Sequence, residues 1–88
     1  MGVFILADKV SISPNSVVYR IRPGDPNDTD PEQDVQIPLG SDGAYLDEAD
    51  ITAVTGDELT GTSRHMLGKL LYDYEKKGGW PDRTGLQS

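Results

Sequence analysis

The sequence predicts a small α+β fold, with an antiparallel sheet of three to four strands packed by one C-terminal helix. Three observations predict it: alternating apolar residues in the first forty positions, an apolar stripe at helical spacing near residue 70, and a length of 88 residues. A chain of this length forms one domain with a small core. We expect residues 1–79 to be that single compact domain and residues 80–88 to be an irregular C-terminal tail.

The first two strands form a predicted hairpin. Val17, Tyr19 and Ile21 alternate with polar residues across 16–22, so they share one face of a half-buried strand. Val10 and Ile12 alternate in the same way upstream. Residues 13–16 (Ser-Pro-Asn-Ser) have the composition of a tight turn between the two strands. Residues 3–7 either continue the first strand or supply a fourth.

A third strand is predicted over residues 35–39, where Val35, Ile37 and Leu39 alternate with polar residues or proline. Pro38 has no N–H to donate to a neighbour, so we expect this strand to lie at an edge of the sheet. Residues 47–55 are ambiguous. Asp47 is a good N-cap for a short second helix, but the β-branched residues that follow it favour a strand equally well.

The clearest element is a helix from about Ser63 to Lys77. Its apolar stripe consists of Met66, Leu67, Leu70, Leu71 and Tyr74. Two lysines lie at the negative end of the helix dipole, and two glycines follow them as a stop signal. Gly68 lies inside this helix, where glycine costs about 1 kcal/mol relative to alanine. It indicates close approach of another backbone, from the sheet or from another chain.

Charge divides the chain into an acidic front and a basic end. Residues 1–60 hold three basic and twelve acidic residues, a net charge of −9, and residues 61–88 hold five basic and three acidic, a net charge of +2. The acidic front repels phosphate backbones and anionic membranes, so nucleic acid and membrane are not expected partners. The apolar run 3–7 is too short to span a membrane and lacks the basic start of a signal peptide. We expect a cytoplasmic protein, or a virion component if the chain is viral.

The stretch RPGDPNDTDPEQD, residues 22–34, connects the second and third predicted strands as a projecting loop. Its three prolines restrict the backbone and make the loop stiff. Its carboxylates do not match the ligand spacing of an EF-hand, because Asp30 stands where glycine is required. A solvated loop without a metal is therefore favoured, and an irregular calcium site is the alternative. We expect the loop to contact a protein partner through Asp25, Asp28, Asp30, Glu32 and Asp34.

Catalytic motifs are missing from the sequence. It has no cysteine and one histidine, His65, which is two residues from Ser63 and would point to a different side of the helix. Neither the GxGxxG nor the GxxxxGK[ST] phosphate-binding pattern occurs. We therefore expect no catalytic residues, no cofactor and no enzymatic activity.

Aromatic residues lie near cations towards the C-terminal end of the sequence. Tyr72, Trp80 and Arg83 belong to residue types that are enriched in protein interfaces, and we expect them to contact a partner. Trp80 is the best candidate for an interface anchor, while Tyr74 is accounted for by the helix stripe.

The sequence therefore favours a small non-enzymatic interaction or structural protein that acts by docking to a protein, either copies of itself or a larger assembly. Its composition is typical of viral (phage-type) assembly, virion and accessory proteins, by analogy alone. The alternative is an acidic inhibitor that mimics nucleic acid and binds a basic protein. A third option, with less support, is a small hydrolase that uses clustered carboxylates with a metal.

Overall fold

The computed structural model describes residues 4–27 and 29–87 and has the predicted α+β fold. Five strands form one antiparallel sheet in the order β4-β3-β2-β1-β5, and one helix packs against it. The elements are β1 (Phe4–Ile12), β2 (Ser16–Pro23), β3 (Gln33–Pro38), β4 (Thr52–Ala53), α1 (Gly61–Lys77) and β5 (Arg83–Gln87).

The predicted hairpin is present as β1 and β2, and residues 4–7 continue the first strand. The register of the β1–β2 pair shifts between Lys9 and Ser11: Lys9 lies opposite Tyr19, and Ser11 lies opposite Val18. Val10 is therefore an extra residue in β1, which is the arrangement of a β-bulge.

One side of the sheet, the inner face, is covered by α1. The inner face is formed by residues at alternate positions of the strands, which places them on the same side of the pleat. Its fully buried members are Ile5, Ala7, Val17, Tyr19, Ile21, Val35 and Ile37. From α1, the buried residues Met66, Leu67, Leu70 and Leu71 pack against them. The opposite side, the outer face, carries the intervening residues of the same strands.

Both interpretations of residues 47–55 are partly right. Asp47 caps a single 3-10 turn, Glu48–Asp50, by accepting a hydrogen bond from the N–H of Ala49 at 2.9 Å. The chain then becomes extended and forms β4, where β-branched Thr52 pairs with Gln36. The turn is too short to count as a second helix.

The edge position predicted for the third strand is wrong. β3 lies between β2 and β4, and β4 pairs with Val35 and Gln36. Pro38 is at the other end of β3, beyond the pairing with β4, so its missing N–H does not interrupt that pairing.

The C-terminal segment is also more regular than predicted. Residues 83–87 form β5, which pairs with β1 from Asp8 opposite Arg83 to Phe4 opposite Gln87. The expected irregular tail therefore becomes an edge strand of the sheet.

Gly68 is exposed on α1, and a Cβ at this position would meet nothing within 4 Å. The sheet is therefore not the close neighbour that the sequence indicates. Gly78 is different, because its φ of +75° lies in the left-handed region and ends α1.

We expect Gly68→Ala to stabilise the protein by about 0.5 to 1 kcal/mol, because alanine removes the glycine penalty without a clash. We expect Gly78→Ala to destabilise it by about 1 kcal/mol, because its backbone is left-handed. Thermal unfolding at low protein concentration measures both. A fall in Tm for Gly68→Ala would contradict the open environment of this glycine.

Candidate docking surfaces

The acidic stretch of residues 22–34 folds back onto the N-terminus of α1. One Asp30 carboxylate oxygen accepts hydrogen bonds from the Thr62 N–H at 3.1 Å and from the Thr62 hydroxyl at 2.7 Å. A carboxylate at this end of a helix is stabilised by the free N–H groups and the helix dipole. Asp30, predicted to contact a partner, thus has an internal role as a second cap beside the N-cap residue Thr60.

Gln33 fastens the same stretch to the segment that leads into α1. Its side-chain oxygen accepts hydrogen bonds from the Thr60 N–H at 3.0 Å and the Ser63 hydroxyl at 2.7 Å. Its side-chain N–H donates to the Glu58 carbonyl at 2.9 Å. No motif in the sequence marks Gln33, because a lone glutamine at a strand start is common on surfaces.

The other acidic residues of the stretch do not converge on one site. Asp34 pairs with Arg20 at 2.9 Å, and Glu32 lies 3.7 Å from the same guanidinium. Asp25 accepts a hydrogen bond from the N–H of Asn27 at 2.9 Å. Asp28 lies outside the described residues. The stretch is thus held by local and internal contacts in the part of the chain that the structure describes.

A row of alternating charges crosses the outer face. Arg83, Asp8, Arg20 and Asp34 lie opposite one another on β5, β1, β2 and β3. Arg83 Nε is 2.8 Å from Asp8, and Arg20 Nε is 2.9 Å from Asp34, a contact that raises the pKa of the Arg20 guanidinium. Such exposed pairs are screened by solvent and add little to the stability of the fold. Arg83, predicted to contact a partner, is here neutralised within its own chain.

Trp80 joins an aromatic cluster with Tyr74, Tyr45 and Tyr19. Its ring stacks on Tyr74 with centroids 4.4 Å apart, and its Nε1–H donates to the Gly43 carbonyl at 3.0 Å. Trp80 is partly buried against the core. The predicted interface anchor therefore holds the segment before β5 onto the body of the protein.

Two further contacts hold this segment. The Tyr19 hydroxyl donates a hydrogen bond to the Pro81 carbonyl, and burial is the main cause that raises the pKa of Tyr19. Lys9 Nζ lies 2.7 Å from Asp82, and this contact lowers the pKa of the Asp82 carboxyl. The two contacts fix the chain next to the bulged part of β1.

Tyr72 remains on the surface, with 58% of its area exposed. Lys76 Nζ lies 5.5 Å from the centre of its ring. Tyr72 and Leu86 line an open cleft of about 500 Å³ between α1 and β5. Among the residues predicted to contact a partner, Tyr72 is the aromatic one whose ring stays exposed.

The free edge of β5 was missed by sequence reasoning. Among the described residues, β5 is the last strand of the sheet, and it pairs on one side with β1. Its five residues contain one large apolar side chain, Leu86, so the alternating pattern is too weak to identify a strand.

Ser63 and His65, which are two residues apart in the sequence, have different surroundings. Ser63 is buried and bonded to Gln33, whereas His65 is exposed, so the two do not meet. Within residues 4–27 and 29–87, no group of three or more histidine, cysteine or acidic residues is placed to hold a metal ion. The described residues also include no helix with the length and apolar character needed to cross a membrane.

We expect Asp30→Ala to destabilise the protein by about 1 kcal/mol, because the two bonds to Thr62 are lost. Asp50→Ala removes an exposed carboxylate of the 3-10 turn and serves as the control, with a change within about 0.5 kcal/mol. Urea unfolding measures both. Equal small effects would show that Asp30 is no cap.

We expect stability to fall as the pH rises above about 10, because Tyr19 ionises in the unfolded chain before it ionises in the folded one. By pH 11 this one group accounts for a loss of about 1.4 kcal/mol. Tyr19→Phe should flatten the dependence. Urea unfolding between about pH 8 and 11 tests this, and identical slopes for the wild type and Tyr19→Phe would contradict it.

Comparisons with known proteins identify no relative. No protein-family model, curated protein or solved structure matches the chain.

Proposed function

We propose that this chain is a small non-enzymatic protein that acts by docking to a protein partner, and that it docks through the β5 side of its sheet. The observation that carries the proposal is the free edge of β5, where backbone N–H and C=O groups point away from β1. Strand edges of this kind pair readily with another chain.

Exposed apolar residues on both sides of this edge support the proposal. Tyr72 lies beside β5 above the inner face, and Phe4, opposite Gln87 on the outer face, is 42% exposed. Aromatic side chains bury a large apolar area and are favoured in interfaces. A partner strand added to β5 would cover part of the Tyr72 ring, whereas the Phe4 ring lies over Gly24 on the β2 side of β1.

The other sheet edge is a poorer docking site. β4 has two residues, and acidic residues precede and follow it in the chain: Asp47, Glu48, Asp50, Asp57 and Glu58. Short, charged edges resist strand addition. The protein thus presents one protected edge and one open edge.

An inhibitor that mimics nucleic acid has weaker support than docking through β5. Mimicry needs carboxylates free to meet a basic surface, but Asp30 is bonded to Thr62 and Asp34 to Arg20. The acidic residues around β4 are still available to meet a basic surface. A structural role in an assembly, of the kind found in viral particles, agrees better with an open strand edge.

A photo-crosslinking amino acid at position 87 tests the proposal in cells that make the protein. Gln87 lies at the end of β5, and Val54, 53% exposed next to β4, is the matched control position. We expect light-dependent protein adducts from position 87, and several-fold fewer from position 54. Adducts from position 54 alone would favour the acidic mimic, and no adducts from either position would contradict docking.

A further inference from the structure

The backbone groups on the free side of β5 can be identified from two hydrogen bonds. The Lys9 N–H donates to the Asp82 carbonyl at 2.8 Å, so this pair is a hydrogen-bonded pair of the β1–β5 ladder. The Gly24 N–H donates to the Phe4 carbonyl at 2.8 Å, so the backbone N–H and C=O of Phe4 point towards β2 rather than β5. Hydrogen-bonded pairs alternate along an antiparallel ladder. Thr84 and Leu86 therefore bond to β1, and the groups of Arg83, Gly85 and Gln87 point outward.

These outward groups are symmetric about Gly85. We propose that β5 pairs antiparallel with β5 of a second copy of this chain, around a twofold axis at Gly85, and so joins two five-stranded sheets into one. Gly85 then pairs with its own copy, and Arg83 pairs with Gln87. Each of these pairs can exchange two hydrogen bonds. The inference rests on the proposed function and names the partner.

β5 lacks the features that keep strand edges apart. Proteins protect free edges with prolines, lysines, bulges or short strands. Residues 83–87 contain no proline and no lysine, and the one charged side chain, Arg83, is paired with Asp8 at 2.8 Å. The protected edge is β4, as described above. The structure therefore leaves this particular edge open to a strand.

The charges near the edge favour a second copy over a strongly charged partner. Three of the cations near β5 are in ion pairs: Arg83 with Asp8, Lys69 with Asp73, and Lys9 with Asp82. In the twofold register Arg83 faces neutral Gln87, so no like charges oppose each other. The acidic segments around β4 lie at the far edge of each sheet, which keeps the bulk of the net charge of −7 apart.

A stable dimer needs a larger contact area than the strand β5 supplies by itself. A stable interface buries about 800 Å² per partner, and five residues of strand are only about 17 Å long. The cleft of about 500 Å³ between α1 and β5 supplies further surface through Tyr72 and Leu86. Because α1 and Tyr72 lie next to the edge, pairing at β5 brings the two copies of this cleft together.

Sedimentation equilibrium of the purified protein tests the dimer with a matched pair of variants. A Cβ at Gly85 would lie 3.5 Å from its nearest neighbour, and Gly85 is not among the described glycines with positive φ, so Gly85→Ala should fold and keep its outward N–H. Gly85→Pro removes that N–H and places ring atoms at the edge. We expect wild type and Gly85→Ala to dimerise, and we expect Gly85→Pro to raise the dissociation constant about tenfold or more.

Hydrogen exchange of the wild type gives a second measurement that does not depend on a variant. We expect the amides of Arg83, Gly85 and Gln87 to exchange more slowly as the protein concentration rises, whereas that of Val54, beside β4 at the other edge of the sheet, should not change. A monomeric wild type, or exchange at these amides that does not depend on concentration, would overturn the dimer. If position 87 still crosslinks to a different protein, the docking function stands and the second copy is the wrong partner.

Discussion

The structure depends on one constraint: a single helix has to cover one face of a five-stranded sheet. A helix is about 10 Å wide, whereas five strands span about 20 Å, so α1 leaves sheet uncovered on each side. On the β4 side, the connection between β3 and α1 packs Leu39, Ile51 and Leu59 against the core and leaves a cavity of about 300 Å³ beside α1. On the β5 side, Leu86 packs against the core, and the larger cleft next to Tyr72, about 500 Å³, remains. The unevenness of this cover makes the two edges of the sheet different.

Polar side chains attach to the helix and sheet the connecting segments that the small core does not hold by itself. Asp30 and Gln33 bind the long connection to the start of α1, and Tyr19 and Trp80 bind the segment that leads into β5. Each bond joins parts of the chain that are far apart in sequence, so each closes a long loop of the unfolded chain. The acidic, proline-rich stretch consequently belongs to the framework of the protein rather than projecting from it.

The sequence predicts those elements whose signal is local. The alternation through Val17 and Tyr19 and the stripe through Met66 and Leu70 identify β2 and α1, because burial on one face imposes a period. β5 cannot be identified from a periodic pattern of this kind, because its pairing with β1 depends on residues at the other end of the chain. The candidate site was only partly predictable. Tyr72 is exposed as expected, but charge and residue type could not show that Asp30 caps a helix or that Trp80 stacks on Tyr74.

The pairing of Phe4 with Gln87 has a consequence for synthesis of the chain on the ribosome. β1 lies between β2 and β5, so the earliest of the described strands to be translated has one edge uncovered until the latest of them is made. Until residues 83–87 emerge, a nascent chain exposes a long strand edge to its neighbours, the condition under which chains made close together aggregate. Pairing of β5 with β1 covers that edge.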